Sequence, residues 1–166
     1  MSNDNRDEKR SPGRPRNPIK RETLLDVATE QFAQAGFAGT SMNDIATNVG
    51  LRKSSLFHHF DTKNKLYREV VTGILDSLGK KVQEAAAYEG SYRERLDHLT
   101  YSVVDYLAAQ PWSAVLIVRE AVDEQLFAEG EVMASVGDTL MRVARFLEAG
   151  MKERIFVQAD PRRLAF

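Results

Sequence analysis

Helix-starting signals, each followed by apolar residues at helical spacing, recur along this chain and constrain its fold more than any other feature. Ser41-Met-Asn-Asp44 has capping-box spacing with Asp in place of the usual Glu, and Ser91-Tyr-Arg-Glu94 is the full form. Asn17-Pro18 reads as a helix start, and its stripe runs through Leu24, Ala28 and Phe32, widened by Leu25, Val27 and Ala35, to a left-handed stop at Gly36. Met42, Ile45, Ala46 and Val49 form one face of a two-turn helix that Gly50 ends. A short helix follows over 53–60. Thr62 then caps a longer one through Leu66, Val70, Ile74 and Leu78 to about Ala87. Beyond Glu89-Gly90 the pattern predicts a helix carrying Leu96, Leu99, Val103 and Leu107. Another starts at Pro111 and carries Val115, Ile117, Val118 and Val122, and a last one spans about Glu131 to Phe156. Asp160-Pro161 reads as one more helix start, five residues before Phe166. Period-two alternation and hairpin turns are missing, so the expected class is all-α.

Composition narrows the chemistry. Apolar residues make up 43% of 166, enough to fill a core. The chain has no cysteine, which excludes disulfides and thiolate metal sites and fits a reducing, cytoplasmic setting. The polar, charged N-terminus has no apolar signal segment, and no apolar run is long enough to span a membrane. Cysteine nucleophiles, phosphate-binding loops, paired metal-ligand histidines and clustered acids are all missing, so no enzyme and no cofactor is expected.

Charge is unevenly placed. The net value is −1, yet residues 1–68 carry +4 and residues 69–166 carry −5. A basic first third on an acidic remainder suits a polyanion-binding end joined to a separate body, although ordinary solvated charge gives the same numbers. Residues 1–17 hold no large apolar residue beyond Met1 and read as a disordered basic arm.

Residues 41–60 have the outline of a helix-turn-helix: a two-turn helix, a glycine-containing turn and a second short helix. In that motif the second helix enters the major groove of DNA, so one face must bury and the other must offer hydrogen bonds. Leu56 and Phe60 lie on one face. Lys53, Ser54, Phe57 and His58 lie on the other, with Ser55 and His59 at its borders. Hydroxyls and imidazoles suit base edges, lysine suits a phosphate or guanine, and Phe57 could meet a thymine methyl. The same eight residues could also form an ordinary amphipathic helix with Phe57 in the core. His58 and His59 point about 100° apart on a helix, and no carboxylate joins them, so no metal site is expected.

From Arg21 to Leu66 the sequence resembles the TetR family of bacterial transcriptional regulators. The residues that carry the resemblance are Phe32 to Ser41 (F-x3-G-F-x2-T-S), Asp44-Ile45-Ala46, Val49-Gly50-Leu51 and Leu56-Phe57-His58-His59-Phe60 followed by Lys63. The resemblance implies a homodimer on a palindromic operator in double-stranded DNA, usually a repressor released by a small-molecule ligand. Carried over by position, it implies that Lys53, Ser54, Ser55, Phe57, His58 and His59 face DNA, that Ser41 and Asn43 contact it from the preceding helix, and that Thr62 and Lys63 meet a phosphate. The family usually has tyrosine where Phe57 stands, and in it proline is common at Asp61 and glutamate at Asn64. The family's last two helices pair between subunits, and the first of them would begin near Asp160.

This reading divides the chain into the arm (1–17), a helix-turn-helix domain (18–66) and a helical regulatory domain (67–166) for ligand binding and dimerisation. Within the arm, Pro12-Gly-Arg-Pro-Arg16 resembles an AT-hook core, which would place Arg14 and Arg16 in a narrow minor groove; a plain basic tail is the alternative. Candidate ligand contacts in the bundle are the polar and aromatic residues among apolar ones: His98, Tyr101, Asp105, Trp112, Arg119 and Glu120. Core, interface or surface charge would also explain each of them. The competing function is a DNA-binding regulator without a small-molecule ligand, protein-regulated or architectural.

Overall fold

The computed structural model describes residues 19–123, 130–157 and 159–160. These residues form seven helices and no strand: α1 (Arg21–Gly39), α2 (Met42–Asn48), α3 (Lys53–His59), α4 (Lys63–Ala87), α5 (Tyr92–Ala109), α6 (Pro111–Asp123) and α7 (Gly130–Lys152). No helix among the described residues is long and apolar enough to cross a membrane.

Three of the expected caps close as written. The Ser41, Thr62 and Ser91 side chains each accept a hydrogen bond from the backbone N–H three residues on, and Glu94 returns the reciprocal bond to Ser91. Each cap satisfies one of the N–H groups that a helix start leaves unpaired. Gly36 takes the left-handed φ of 72° expected of it, but as a kink: three further residues stay helical before Thr40.

Three expectations need correction. The start proposed at Asn17-Pro18 lies outside the described residues, and α1 begins at Arg21 after an extended Lys20. Arg21 reaches Glu69 of α4 in a two-pronged ion pair, Nε–Oε1 2.9 Å and Nη2–Oε2 2.6 Å, which pins that first turn. The last helix ends at Lys152 rather than Phe156. Arg154 turns left-handed (φ 57°), the Gly150 carbonyl accepts from Ile155 and Phe156, and Phe156 folds back edge-on to Tyr92 at 5.5 Å. That ring contact rewards ending the helix, as helix C-terminal motifs commonly do. On α6 the buried side chains are Ser113, Leu116 and Glu120, whereas Val115 and Val118 are exposed. The Val122 side chain lies outside the description.

One apolar cluster runs from the reading head into the bundle. Leu24 and Phe32 of α1, Ile45 of α2 and Leu56 of α3 join Phe60, Tyr67 and Val70, and the cluster continues to Leu116 and Val132. Burying an aromatic or leucine side chain this fully stabilises by about 1.5–3 kcal/mol. A second cluster at the far end gathers Val82, Ala85, Tyr92 and Phe146. Between them, α4 and α7 run in the same direction: Arg68 meets Glu131, Asp76 meets Ser135 and Gln83 meets Arg142 in rising order on both. Helix α5 returns antiparallel to α4, with His98 stacked on Tyr88 and Lys81 over Tyr106. Helix α4 therefore joins the reading head to the far end of the bundle.

Candidate DNA interface and regulatory body

The geometry of α3 starts at the α2–α3 turn. The Val49 N–H closes on Ile45, the Gly50 N–H on Thr47, and the Leu51 N–H reaches back to Ala46 at 2.8 Å. Gly50 adopts φ 68°, a value that suits a residue without Cβ. This tight return sets α3 against α1 and α2. Leu56 and Phe60 are fully buried there, and the Arg21 guanidinium lies 4.5 Å over the Phe60 ring.

With that side fixed, the opposite side projects outward. Lys53, Ser54, Phe57, His58 and His59 are exposed, and Ser55 is half-buried at the border. Phe57 is 37% exposed, so it is not core, and the Lys53 ammonium lies 5.9 Å from its ring centroid. Ser41 and Asn43 are exposed at the start of α2; the Ser41 hydroxyl also donates to Asp44 at 2.6 Å. Arg52, just before α3, is exposed as well and was not singled out from the sequence. Its position in the turn, one residue from Lys53, was the available signal. Asp61, the acid in an otherwise basic neighbourhood, pairs with Lys65 at 3.0 Å. Arg14 and Arg16 lie outside the described residues.

Two expected phosphate contacts look different here. Thr62 Oγ1 accepts from the Lys65 N–H, so it serves as a cap. The Lys63 ammonium turns inward, donates to the carbonyls of Phe37 (2.8 Å) and Thr40 (3.0 Å), and sits 4.3 Å over the Phe37 ring. It neutralises the carbonyl end of α1, where a cation is favoured, and holds the α1–α2 joint.

The six expected ligand contacts do not converge. His98 is stacked on Tyr88, Tyr101 and Asp105 face solvent, and Trp112 is 37% exposed. Arg119 of α6 reaches toward α1, with Nη2 3.5 Å from the Gln34 carbonyl, and Glu120 is buried against the Tyr67 hydroxyl. None of them lines the cleft of about 500 Å³ between α4 and α7. That cleft is walled by Val82, Ala86, Met141 and Phe146, with Arg95, Arg142 and Arg145 at its edges. No cluster of three metal-ligating side chains occurs among the described residues.

Residues 24–70, which include α2, α3 and the outward face, match the family model described as bacterial regulatory proteins, tetR family. The chain is 34% identical over 149 residues to the HTH-type transcriptional repressor KstR2 of Rhodococcus jostii (strain RHA1), covering 89% of this chain and 72% of that protein. The chain belongs to the TetR family. Its fold also matches TetR-type solved structures. The ketosteroid transcriptional regulator KstR2 of Mycobacterium tuberculosis superposes with a TM-score of 0.68 at 24% identity, covering 83% of this chain and 71% of that one. AibR, solved in complex with isovaleryl coenzyme A and operator DNA, gives 0.68 at 18%, covering 87% and 79%. As a TetR-family protein this chain is a DNA-binding transcriptional regulator and not an enzyme.

Proposed function

We propose that this TetR-family chain is a repressor that binds a palindromic operator as a homodimer and leaves it when a small molecule binds the helical body. The observation that carries the reading is α3. Its Leu56 and the adjoining Phe60 are locked in the core, while Lys53, Ser54, Phe57, His58 and His59 stand outward on one ridge. A ridge fixed from behind can enter the major groove without first being ordered, which lowers the entropic cost of binding. Ser55 borders that ridge, and Ser41 and Asn43 extend it at α2. Thr62 and Lys63 act behind it by fixing the start of α4 and the α1–α2 joint. In this reading residues 18–66 read DNA and residues 67–166 regulate and dimerise, with Arg14 and Arg16 of the arm adding minor-groove contacts.

Repression is supported by the likeness to the KstR2 repressor. Release by a ligand is supported by the cleft in the body and by the crystal pairing of isovaleryl coenzyme A with the AibR fold. Two reading heads must lie about 34 Å apart, or a multiple, to meet successive major grooves. A ligand that prefers another separation withdraws protein from the DNA-competent population.

Selection from random duplexes at fixed salt tests the reading. A two-fold symmetric consensus is expected. Lys53→Ala should weaken binding to every duplex and reduce the salt slope by about one, while His58→Ala should relax base preference at one position of each half-site. Equal affinity for unrelated duplexes, or both variants binding as the parent does, would overturn it.

A further inference from the structure

We propose that the cleft between the far halves of α4 and α7 is the effector site, and that it takes an amphipathic anion: an apolar body with a carboxylate or phosphate head. The proposal rests on the ligand-release reading above and assigns that ligand a chemistry.

The cleft's volume, about 500 Å³, is that of a small-molecule site. Its wall is apolar at Val82, Ala86, Phe146 and Met141, the last an unbranched side chain that adapts to irregular shapes. Its polar edge is one-sided, with three guanidinium groups against the single carboxylate of Asp138. Two of the three are already oriented. Glu153 holds Arg95 Nη2 at 2.6 Å, and Gln83 Oε1 holds Arg142 Nη1 at 2.6 Å. Arg145 is exposed and makes no ion pair among the described residues.

The Nε of Arg95 is buried and has no hydrogen-bond partner among the described residues, so the bond from its Nη2 to Glu153 is what holds this guanidinium at the cleft. Planar guanidinium forks match carboxylate and phosphate oxygens in pairs, and with Arg95 paired to Glu153 the lining still keeps Arg142 and Arg145 against Asp138, a net positive edge that disfavours a cation. The cleft joins the helix that carries the reading head, α4, to α7. An occupant that prefers a different α4–α7 spacing therefore acts on the angle at which α4 presents α3.

The test uses four ten-carbon probes below their micelle-forming concentrations: decanoate, decyl phosphate, decanol and decyltrimethylammonium. One or both anions should raise Tm by about 2 °C or more, and which of them does so identifies the head group. Decanol and the ammonium should not. Arg145→Gln should weaken anion binding about tenfold, and Met141→Glu, which sets a carboxylate in the cleft, should abolish it. Both positions are exposed, so the variants keep the fold, which circular dichroism verifies. An equal response to decanol, no response to either anion, or full anion binding by Met141→Glu overturns the assignment. Operator binding is measured beside it. A probe that releases DNA equally from parent and Met141→Glu overturns the cleft but leaves ligand release standing. An anion seated in the cleft without effect on DNA upholds the site and overturns ligand release.

Discussion

The hydroxyl of Tyr67 on α4 donates to the buried carboxylate of Glu120 on α6. The Tyr67 ring meanwhile packs edge-on to Phe32 at 4.6 Å and against Phe37 at 5.0 Å. One side chain thus ties the regulatory helices to the joint that the Lys63 ammonium closes above Phe37. Removing the donor to a buried carboxyl oxygen costs about 1–3 kcal/mol. Tyr67→Phe should lower stability by that amount in urea unfolding while keeping the ring contacts. A double-mutant cycle with Glu120→Gln should show coupling above about 0.5 kcal/mol. Additivity of the two changes would mean that the pair carries no energy.

Lys63 separates two ways in which a lysine can serve DNA binding. Its ammonium is engaged by the Phe37 and Thr40 carbonyls, whereas Lys53 is exposed on the ridge with only the Phe57 ring beside it. Lys63→Met should therefore destabilise the protein by about 1.5–3 kcal/mol, the range for hydrogen bonds to charged groups. It should leave the salt slope of operator binding within experimental error of the parent. Lys53→Ala should do the reverse, with the slope falling by about 0.9 and stability unchanged. A slope reduced equally by both would place the Lys63 ammonium on a phosphate.

The local signals in the sequence were sufficient for the local structure. Ser41, Thr62 and Ser91 cap where their spacing indicates, because a cap depends only on residues within one turn. The two faces of α3 were legible for the same reason: Leu56 and Phe60 are four residues apart. What the sequence hid depends on crossings between distant elements. Helix α6 buries Leu116 and Glu120 rather than Val115 and Val118 because the face toward α1 and α4 is set by packing, not by hydropathy. The end of α7 is decided by Phe156 meeting Tyr92, 64 positions earlier. Arg95, Arg142 and Arg145 stand on two helices that only the fold makes neighbours, and each alone reads as surface charge.

Gly36 should tolerate no side chain. Its φ of 72° disfavours L-residues, whereas the atom nearest a Cβ there, Nη1 of Arg119 at 2.6 Å, is the end of a flexible side chain that can move aside. Gly36→Ala should cost at least about 1 kcal/mol through the backbone, measured as a drop in the denaturation midpoint. Adding Arg119→Ala leaves the backbone cost in place, so the double variant should recover little of the loss. Full recovery would show that the left-handed conformation costs nothing at this kink.

The capping box at α5 makes stability depend on acid in a defined direction. Hydrogen bonds from the Ser91 hydroxyl and then from its backbone N–H lower the pKa of Glu94 below its ordinary value of 4.5. A carboxyl whose folded pKa is depressed gives stability that is fully present above its unfolded pKa and is lost as pH falls through the folded one. Unfolding midpoints followed downward from pH 6 should therefore decline below about pH 4.5, the region where an unperturbed glutamate titrates. In Ser91→Ala the donated hydroxyl bond is gone, so this decline should be shallower, and the variant should be less stable than the parent at pH 6 by a margin that narrows in acid. Parallel profiles for the two proteins would mean that the Ser91 hydroxyl does not set the charge state of Glu94.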